Sequence, residues 1–413
     1  MWRKNREFIC LKSASGVPIW FFPMPYIKTV AMGMLVKAGP RDETPDEMGL
    51  AHATEHMVFM ATRLFPNNQI LSDYIESVGG YFNAFTASEE TFYYNQLPAH
   101  EAERGFKVLS QMIREPKFTP ENISVEMQNI IQEIHRDNDD PSSSICRALK
   151  EIMYGNHPLG HSTLGTEESV ASFTKDHFER FISRLYVPDN FAFIIVGNIR
   201  PKKALNLFNQ YFPESLTGNR NQRSIILEAK PTTFQVIMER DVKQAHLAFG
   251  TTTTSADNRL ALALGLFKVM IDGGSSFPLA QEIRYKRGLC YEIWAANFNY
   301  SDLGNFTFYI GTDPKRKDEA FEASMKVVEQ AKNSEELLGR AKKLILGQLA
   351  FRYEDSEKII HQAVKEIALR DKPSSYQELI QKIQVVTVKD IEEAVNLYLT
   401  PEKMVKVMLI PKA

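Results

Sequence analysis

Two histidines and a glutamate fall within five residues, His52-Ala53-Thr54-Glu55-His56, in a chain with nine histidines in all. On a helix, residues four apart lie one turn from each other on a shared face, so both imidazoles can reach one ion. Glu55 projects from the same side. Two neutral imidazoles at that spacing suit Zn2+, bound at about 2.0–2.1 Å per nitrogen. A catalytic zinc takes a third protein ligand and keeps one place for water. The metal lowers the pKa of that water to about 7, and a nearby carboxylate can take its proton. The competing reading is a helix carrying two chance histidines.

The third ligand must come from elsewhere in the chain. In "TPENISVEMQNIIQEIHRDNDDP" (119–141) Thr119 is placed to cap a helix and Pro120 to start it. Ile123, Met127, Ile130, Ile131 and Ile134 form its apolar stripe. Glu126 and Glu133 are seven residues apart and point within about 20° of each other, beside that stripe. Half-buried acids need a cation or hydrogen bonds; the alternative is two solvated helix acids.

The elements that hold these residues can be sketched. Thr44-Pro45-Asp46-Glu47 has a cap, a proline at the first position and acids in the first turn, which predicts one helix running to about Met60. In "GGYFNAFTASEETFYY" (79–94) the Gly pair ends a helix, and Tyr81 to Thr86 alternates as a strand. The loop "GNHPLGHSTLGTEES" (155–169) holds a further pair, His157 and His161. Pro158 and Gly160 break any helix there, so a second metal site is not expected.

These stretches carry a resemblance. "GLAHATEHMVF", with Glu133 placed 77 residues after His56, resembles the pitrilysin/insulinase family of zinc peptidases. The order His-x-x-Glu-His reverses the commoner His-Glu-x-x-His and is the inverzincin pattern. The resemblance implies His52, His56 and Glu133 as ligands of one Zn2+ per chain and Glu55 as general base. Glu126 would be a neighbouring acid that orients the site. It further implies that the hairpin strand is a sheet edge to which an extended peptide substrate adds, with Asn83 and Ala84 in contact. "GGSSFPLAQEIRYKRGLCYEIW" (273–294) is similar to the family's second signature, and the matching Arg and Tyr are Arg284 and Tyr291. A guanidinium and a phenol there can stabilise charge on a peptide carbonyl or hold the substrate main chain. Without the resemblance they read as a surface Arg and a core Tyr. The chain departs from the family at Phe277-Pro278, where Arg-Leu is usual, and at Ala61, where Gly-Thr is common.

The chain is 413 residues long, enough for two or more domains. Its two halves are alike. "TKDHFERFISRLYVPDNFAFIIVGNI" (174–199) parallels "TVKDIEEAVNLYLTPEKMVKVMLIPK" (387–412), with Thr174/Pro188 and Thr387/Pro401 each fourteen residues apart. A helix, a Gly turn and a hairpin recur at 68–98 and 276–313. We therefore expect an α+β fold of two homologous domains, 1–214 and 225–413, joined by a polar linker at 215–224. Each would be a mostly antiparallel sheet covered by helices on one face. The second half has no histidine between His246 and His361 and cannot repeat the first motif.

A formal net charge of −2 gives no electrostatic case for nucleic acid or an anionic membrane. Three scattered cysteines, the absence of an apolar leader and the lack of a long apolar run point to a reducing, cytoplasmic setting with no membrane span. The two-domain length matches the family's half-length branch, which resembles the mitochondrial processing peptidase and its bacterial relatives. Two chains would then enclose a chamber around an endopeptidase site. A homodimer is expected because both residue sets are on this chain, with a heterodimer as the alternative. The rival function is a non-hydrolytic binding or scaffold subunit.

Overall fold

The computed structural model describes residues 7–213, 223, 225 and 229–412. The linker expected at 215–224 lies, apart from Arg223, outside the described residues. The first sheet contains β1 (Ile9–Lys12), β2 (Pro18–Pro23), β3 (Thr29–Val36), β4 (Tyr81–Thr86), β5 (Thr91–Pro98) and β6 (Phe191–Gly197). The second contains β7 (Gln235–Arg240), β8 (Ala245–Thr254), β9 (Cys290–Asn299), β10 (Leu303–Thr312) and β11 (Val405–Pro411). Their orders are β1-β2-β6-β3-β5-β4 and β7-β11-β8-β10-β9. Each sheet has one parallel pair, β2 with β6 and β7 with β11, and is otherwise antiparallel. The second order superposes on the first from β2 onward, which is the duplication written into the chain. The paired Thr and Pro markers fall as they should: Thr174 and Thr387 precede the helices Lys175–Leu185 and Val388–Tyr398, and Pro188 and Pro401 open the turns before β6 and β11.

The central strands explain themselves. β6 (FAFIIVG) is apolar throughout and buried throughout, as a strand covered on both faces must be. In the first unit Val30, Met32 and Met34 of β3 and Phe193 and Ile195 of β6 point into the main core, under the first unit's helices α1 (Leu50–Met60), α2 (Asn68–Glu76), α3 (Ala102–Arg114) and α4 (Pro120–Asp139). This is the layer of helices on one face that the pattern predicts.

The opposite face is closed by a single distant helix. Ser356–Arg370 lies against β3 and β6 and buries Ile360, Val364 and Ile367. The second unit repeats the device with α5 (Pro141–Tyr154), whose Ile145, Leu149 and Met153 pack with Ala248, Tyr309 and Val407. So the strands of each sheet keep to one half of the sequence while two helices do not. One compact unit comprises 1–134, 161–223 and 351–378; the other comprises 135–160, 224–350 and 379–413. Among the described residues no helix is long and apolar enough to cross a membrane.

Candidate metal centre

The helix that carries the histidine pair starts later than the expected run from Thr44 to Met60. Pro45–Glu47 forms a separate short turn, Gly49 takes a left-handed conformation (φ +91°), and α1 begins only at Leu50. The break is steric as well as conformational. A Cβ on Gly49 would lie 2.7 Å from the Leu164 carbonyl oxygen and 2.8 Å from Gly165 Cα, so the chain needs glycine where the two segments meet. Glu43, buried, does the work a cap residue would: its carboxylate accepts from the N–H groups of Gly49 at 2.9 Å and Ala51 at 2.7 Å. An ionised carboxyl there would be favoured by the positive end of the helix. Burial nonetheless pushes the Glu43 carboxyl up to about 8, against the pull of those two N–H groups.

From α1 the buried Ala53, Met57 and Val58 face the core, while His52, Glu55 and His56 face a half-buried cleft beside α4. Thr119 accepts from the Asn122 N–H at 3.2 Å as α4 begins, and Ile123, Met127, Ile130 and Ile134 are its buried side. That seating turns Glu133 and Glu126 towards α1. Glu133 Oε2 lies 3.7 Å from His52 Nε2 and 3.9 Å from His56 Nε2. One donor atom from each of these three residues falls within 4.8 Å of the others, the only such group among the described residues. Glu126 Oε2 accepts from His56 Nδ1 at 3.1 Å, and its other oxygen accepts from the Asn129 amide at 3.1 Å. With Nδ1 protonated, His56 offers its Nε2 lone pair towards Glu133.

The donor set fits zinc. Ligand atoms about 2.0–2.2 Å from a tetrahedral ion lie roughly 3.3–3.6 Å apart. The two distances from Glu133 to the imidazole nitrogens, 3.7 and 3.9 Å, are wider than this by a few tenths of an ångström, within the reach of small side-chain rotations. Burial, helped by the neighbouring His56, holds the His52 pKa down to about 4, so the ring is neutral and its lone pair free near pH 7. For His56 burial acts in the same direction, but the Glu126 hydrogen bond and the carboxylates of Glu133, Glu55 and Glu126 outweigh it and raise its pKa. Glu55 is raised mainly by burial, with Glu133 adding to the effect, while the Thr86 hydroxyl and His56 oppose it. Thr86 Oγ1 donates a short hydrogen bond to Glu55 Oε2.

Thr86 comes from β4, the edge strand of the first sheet. Alternation along β4 puts Phe82, Ala84 and Thr86 on the α1 side, where Phe82 meets Phe59 at 5.3 Å between ring centroids. Tyr81, Asn83 and Phe85 are on the other side. Asn83 is exposed and its Oδ1 accepts from the Ala84 N–H at 2.8 Å. In the second unit Arg284 lies in the last turn of a wide helical stretch, Ala280–Lys286, and Gly288 (φ +57°) turns the chain into β9. The guanidinium of Arg284 stands 5.1 Å from the ring centre of Tyr291, which is 77 % exposed rather than the core residue its type suggests. His157 is buried beside Asp302 at 3.7 Å and accepts from the Leu159 N–H, as a packed loop histidine would.

Comparison with known proteins now bears on this geometry. Residues 23–167 match the family described as "Insulinase (Peptidase family M16)", and residues 172–345 match "Peptidase M16 inactive domain". An "Uncharacterized zinc protease" of Rickettsia bellii (strain RML369-C) is 31% identical over 398 residues, covering 95% of both chains. The chain belongs to the insulinase family, M16. A second zinc protease, YmxG of Bacillus subtilis (strain 168), is 26% identical over 383 residues, covering 91% of this chain and 92% of its own. Among solved structures, a protease from Helicobacter pylori superposes with TM-score 0.89 at 20% identity over 98% of this chain and 100% of its own. An M16 inactive-domain protein from Pseudomonas fluorescens does so with TM-score 0.90 at 18% identity over 98% of each. At that identity the likeness is one of fold.

Membership in M16 fits the asymmetry of the two units, since the His/Glu cluster lies wholly within the first match and the second carries the inactive-domain description. Two residues of the site escape motif reading. Thr86 could have been found from strand alternation, which groups it with Phe82 and Ala84 on one face. Glu43 leaves no local signal, because its partners are reached through a break in the chain that the Thr-Pro-Asp-Glu start conceals.

Proposed function

We propose that this M16 zinc-protease relative is an endopeptidase that hydrolyses extended peptides or unfolded segments, with Glu55 as general base. The observation that carries the reading is the convergence of His52, His56 and Glu133 on one point with Glu55 beside them. His52 and His56, through Nε2, and Glu133, through Oε2, would hold the zinc. When bound, the ion supplies polarisation of the scissile carbonyl and acidification of water. Glu126 keeps His56 in one tautomer. Glu55 takes the proton of the attacking water on a carboxylate oxygen and returns it to the leaving amine. The Thr86 hydroxyl holds the other carboxylate oxygen and ties the base to the strand beside it.

β4 is an open edge, so a substrate strand can add to it through main-chain hydrogen bonds that tolerate many sequences. Arg284 and Tyr291, exposed and adjacent, would hold the substrate main chain or the developing oxyanion. In the dimeric chamber that the resemblance implies, they would serve the centre of the partner chain.

The test compares wild type with Glu55→Gln, measuring zinc content and cleavage of fluorogenic peptides of several lengths. Retained zinc with kcat reduced about 10²–10⁴-fold supports the reading. Equal, chelator-insensitive cleavage by both proteins refutes it and leaves a non-hydrolytic scaffold subunit as the better account.

A further inference from the structure

We infer that the helix Ser356–Arg370 forms a side-chain subsite beside the β4 edge, built on Glu357, which selects a basic residue of the bound peptide. The inference rests on the proposal that peptide adds to β4. An added strand would place its side chains alternately on the two faces of the sheet. One set would fall on the α1 side, with Phe82, Ala84 and Thr86. The other would fall beside Tyr81, Asn83 and Phe85, where the first residues of the Ser356–Arg370 helix stand.

Several contacts fix that helix to the edge. The Tyr81 hydroxyl, with one proton to give, lies within hydrogen-bond reach of Glu357 Oε2 and, at 2.8 Å, of the Gln96 side-chain oxygen. The Tyr94 hydroxyl is 3.5 Å from the second oxygen of Glu357. His361, one turn on, has its ring 4.8 Å from that of Tyr94 and 5.5 Å from that of Phe85. The result is a half-buried carboxylate held by phenols and walled by aromatic rings, and it borders an open recess of about 650 Å³.

The Lys and Arg side chains around it have partners of their own. Lys358 pairs with Asp355 at 3.5 Å, Arg352 donates to Gln362, and Lys365 faces Glu90. The cation-capable neighbour of Glu357 is His361, at 3.7 Å, and burial lowers that imidazole's pKa against the pull of Glu357 and Asp355. Among the described residues the Glu357 carboxylate therefore has the Tyr81 and Tyr94 hydroxyls and the His361 imidazole beside it, but no Lys or Arg within ion-pair distance. A carboxylate flanked by aromatic faces suits a guanidinium or ammonium, which gains an ion pair and a cation–π contact together.

The test uses zinc-loaded full-length protein and quenched-fluorescence peptides that carry Arg or Glu in turn at each of six consecutive positions. Wild type is expected to prefer Arg over Glu at one or two positions by about tenfold or more in kcat/KM. Glu357→Gln, which keeps the Tyr81 contact, should shrink that ratio towards one, and Glu357→Arg should reverse it. Zinc content and circular dichroism establish that each variant is folded. A wild-type enzyme that cleaves the set, with Arg/Glu ratios that neither variant alters at any position, overturns the subsite and leaves the peptidase reading standing. Failure of zinc-loaded wild type to cleave any peptide overturns both.

Discussion

His56 donates from Nδ1 to Glu126 and so turns a lone pair at Nε2 towards Glu133, while His52 is kept neutral by its surroundings. Division of labour among three acids follows from position alone. Glu133 is open to both imidazole nitrogens, Glu126 is spent on His56 and Asn129, and Glu55 is held by Thr86. Glu126→Gln removes the charge behind His56 without touching the ion. We expect zinc affinity to fall about 10–100-fold, read by competition with a chromophoric chelator, with the fold unchanged. An affinity equal to wild type would make Glu126 a bystander. This centre is where the sequence is most legible: five residues of two types, His and Glu, at fixed helical spacings name it, because ligand chemistry allows few alternatives. Tyr291 is less so, since a tyrosine opening a strand reads as core unless its exposure is seen.

At the scale of elements, two devices set the site, and neither is visible in hydrophobic periodicity. One is the break at Gly49, which separates the Pro45–Glu47 turn from α1 and leaves the start of α1 to Glu43. Truncating Glu43→Ala leaves two buried N–H groups unpaired, at a cost of about 1–3 kcal/mol each. The chemical-denaturation midpoint should drop accordingly, and Glu43→Gln, which keeps an acceptor, should drop less. The other is the β4–β5 hairpin turn, where Ala87 N–H bonds the Glu90 carbonyl. Burial, with the charge of Glu89, lifts the Glu90 carboxyl to about 7, above its ordinary 4.5, against Arg223 and Lys365. A carboxyl whose folded-state pKa is raised contributes stability that is full below the unfolded value and lost as pH rises through the folded one. Glu90→Gln should therefore raise Tm at pH 8, by on the order of 2 °C, and leave it unchanged near pH 4. The same increment at both pH values would show that the carboxyl titrates normally. The hairpin itself was readable from its alternation and its glycines. The turn's electrostatics depend on Arg223 and Lys365, far away in the chain.

The whole molecule is a duplicated fold whose strands stay in their own half while one helix from each half closes the other half's sheet. The duplication is legible because Thr174/Pro188 and Thr387/Pro401 mark equivalent turns. The exchange of α5 and Ser356–Arg370 is not, since an amphipathic helix records that it has a buried face but not which sheet covers it. If the chamber is dimeric, with Arg284 and Tyr291 of one chain serving the centre of the other, mixing Glu55→Gln with Tyr291→Phe should restore partial peptide cleavage, up to about a quarter of wild type for random pairing. No recovery in a mixture that exchanges subunits would place both sets at one chain's own site. All of this presupposes the metal centre, and zinc titration tests that most directly. Wild type should bind one zinc tightly per chain, and His52→Ala, His56→Ala and Glu133→Gln should each abolish tight binding while remaining folded. A Glu133→Gln protein that binds zinc as tightly as wild type would contradict the account.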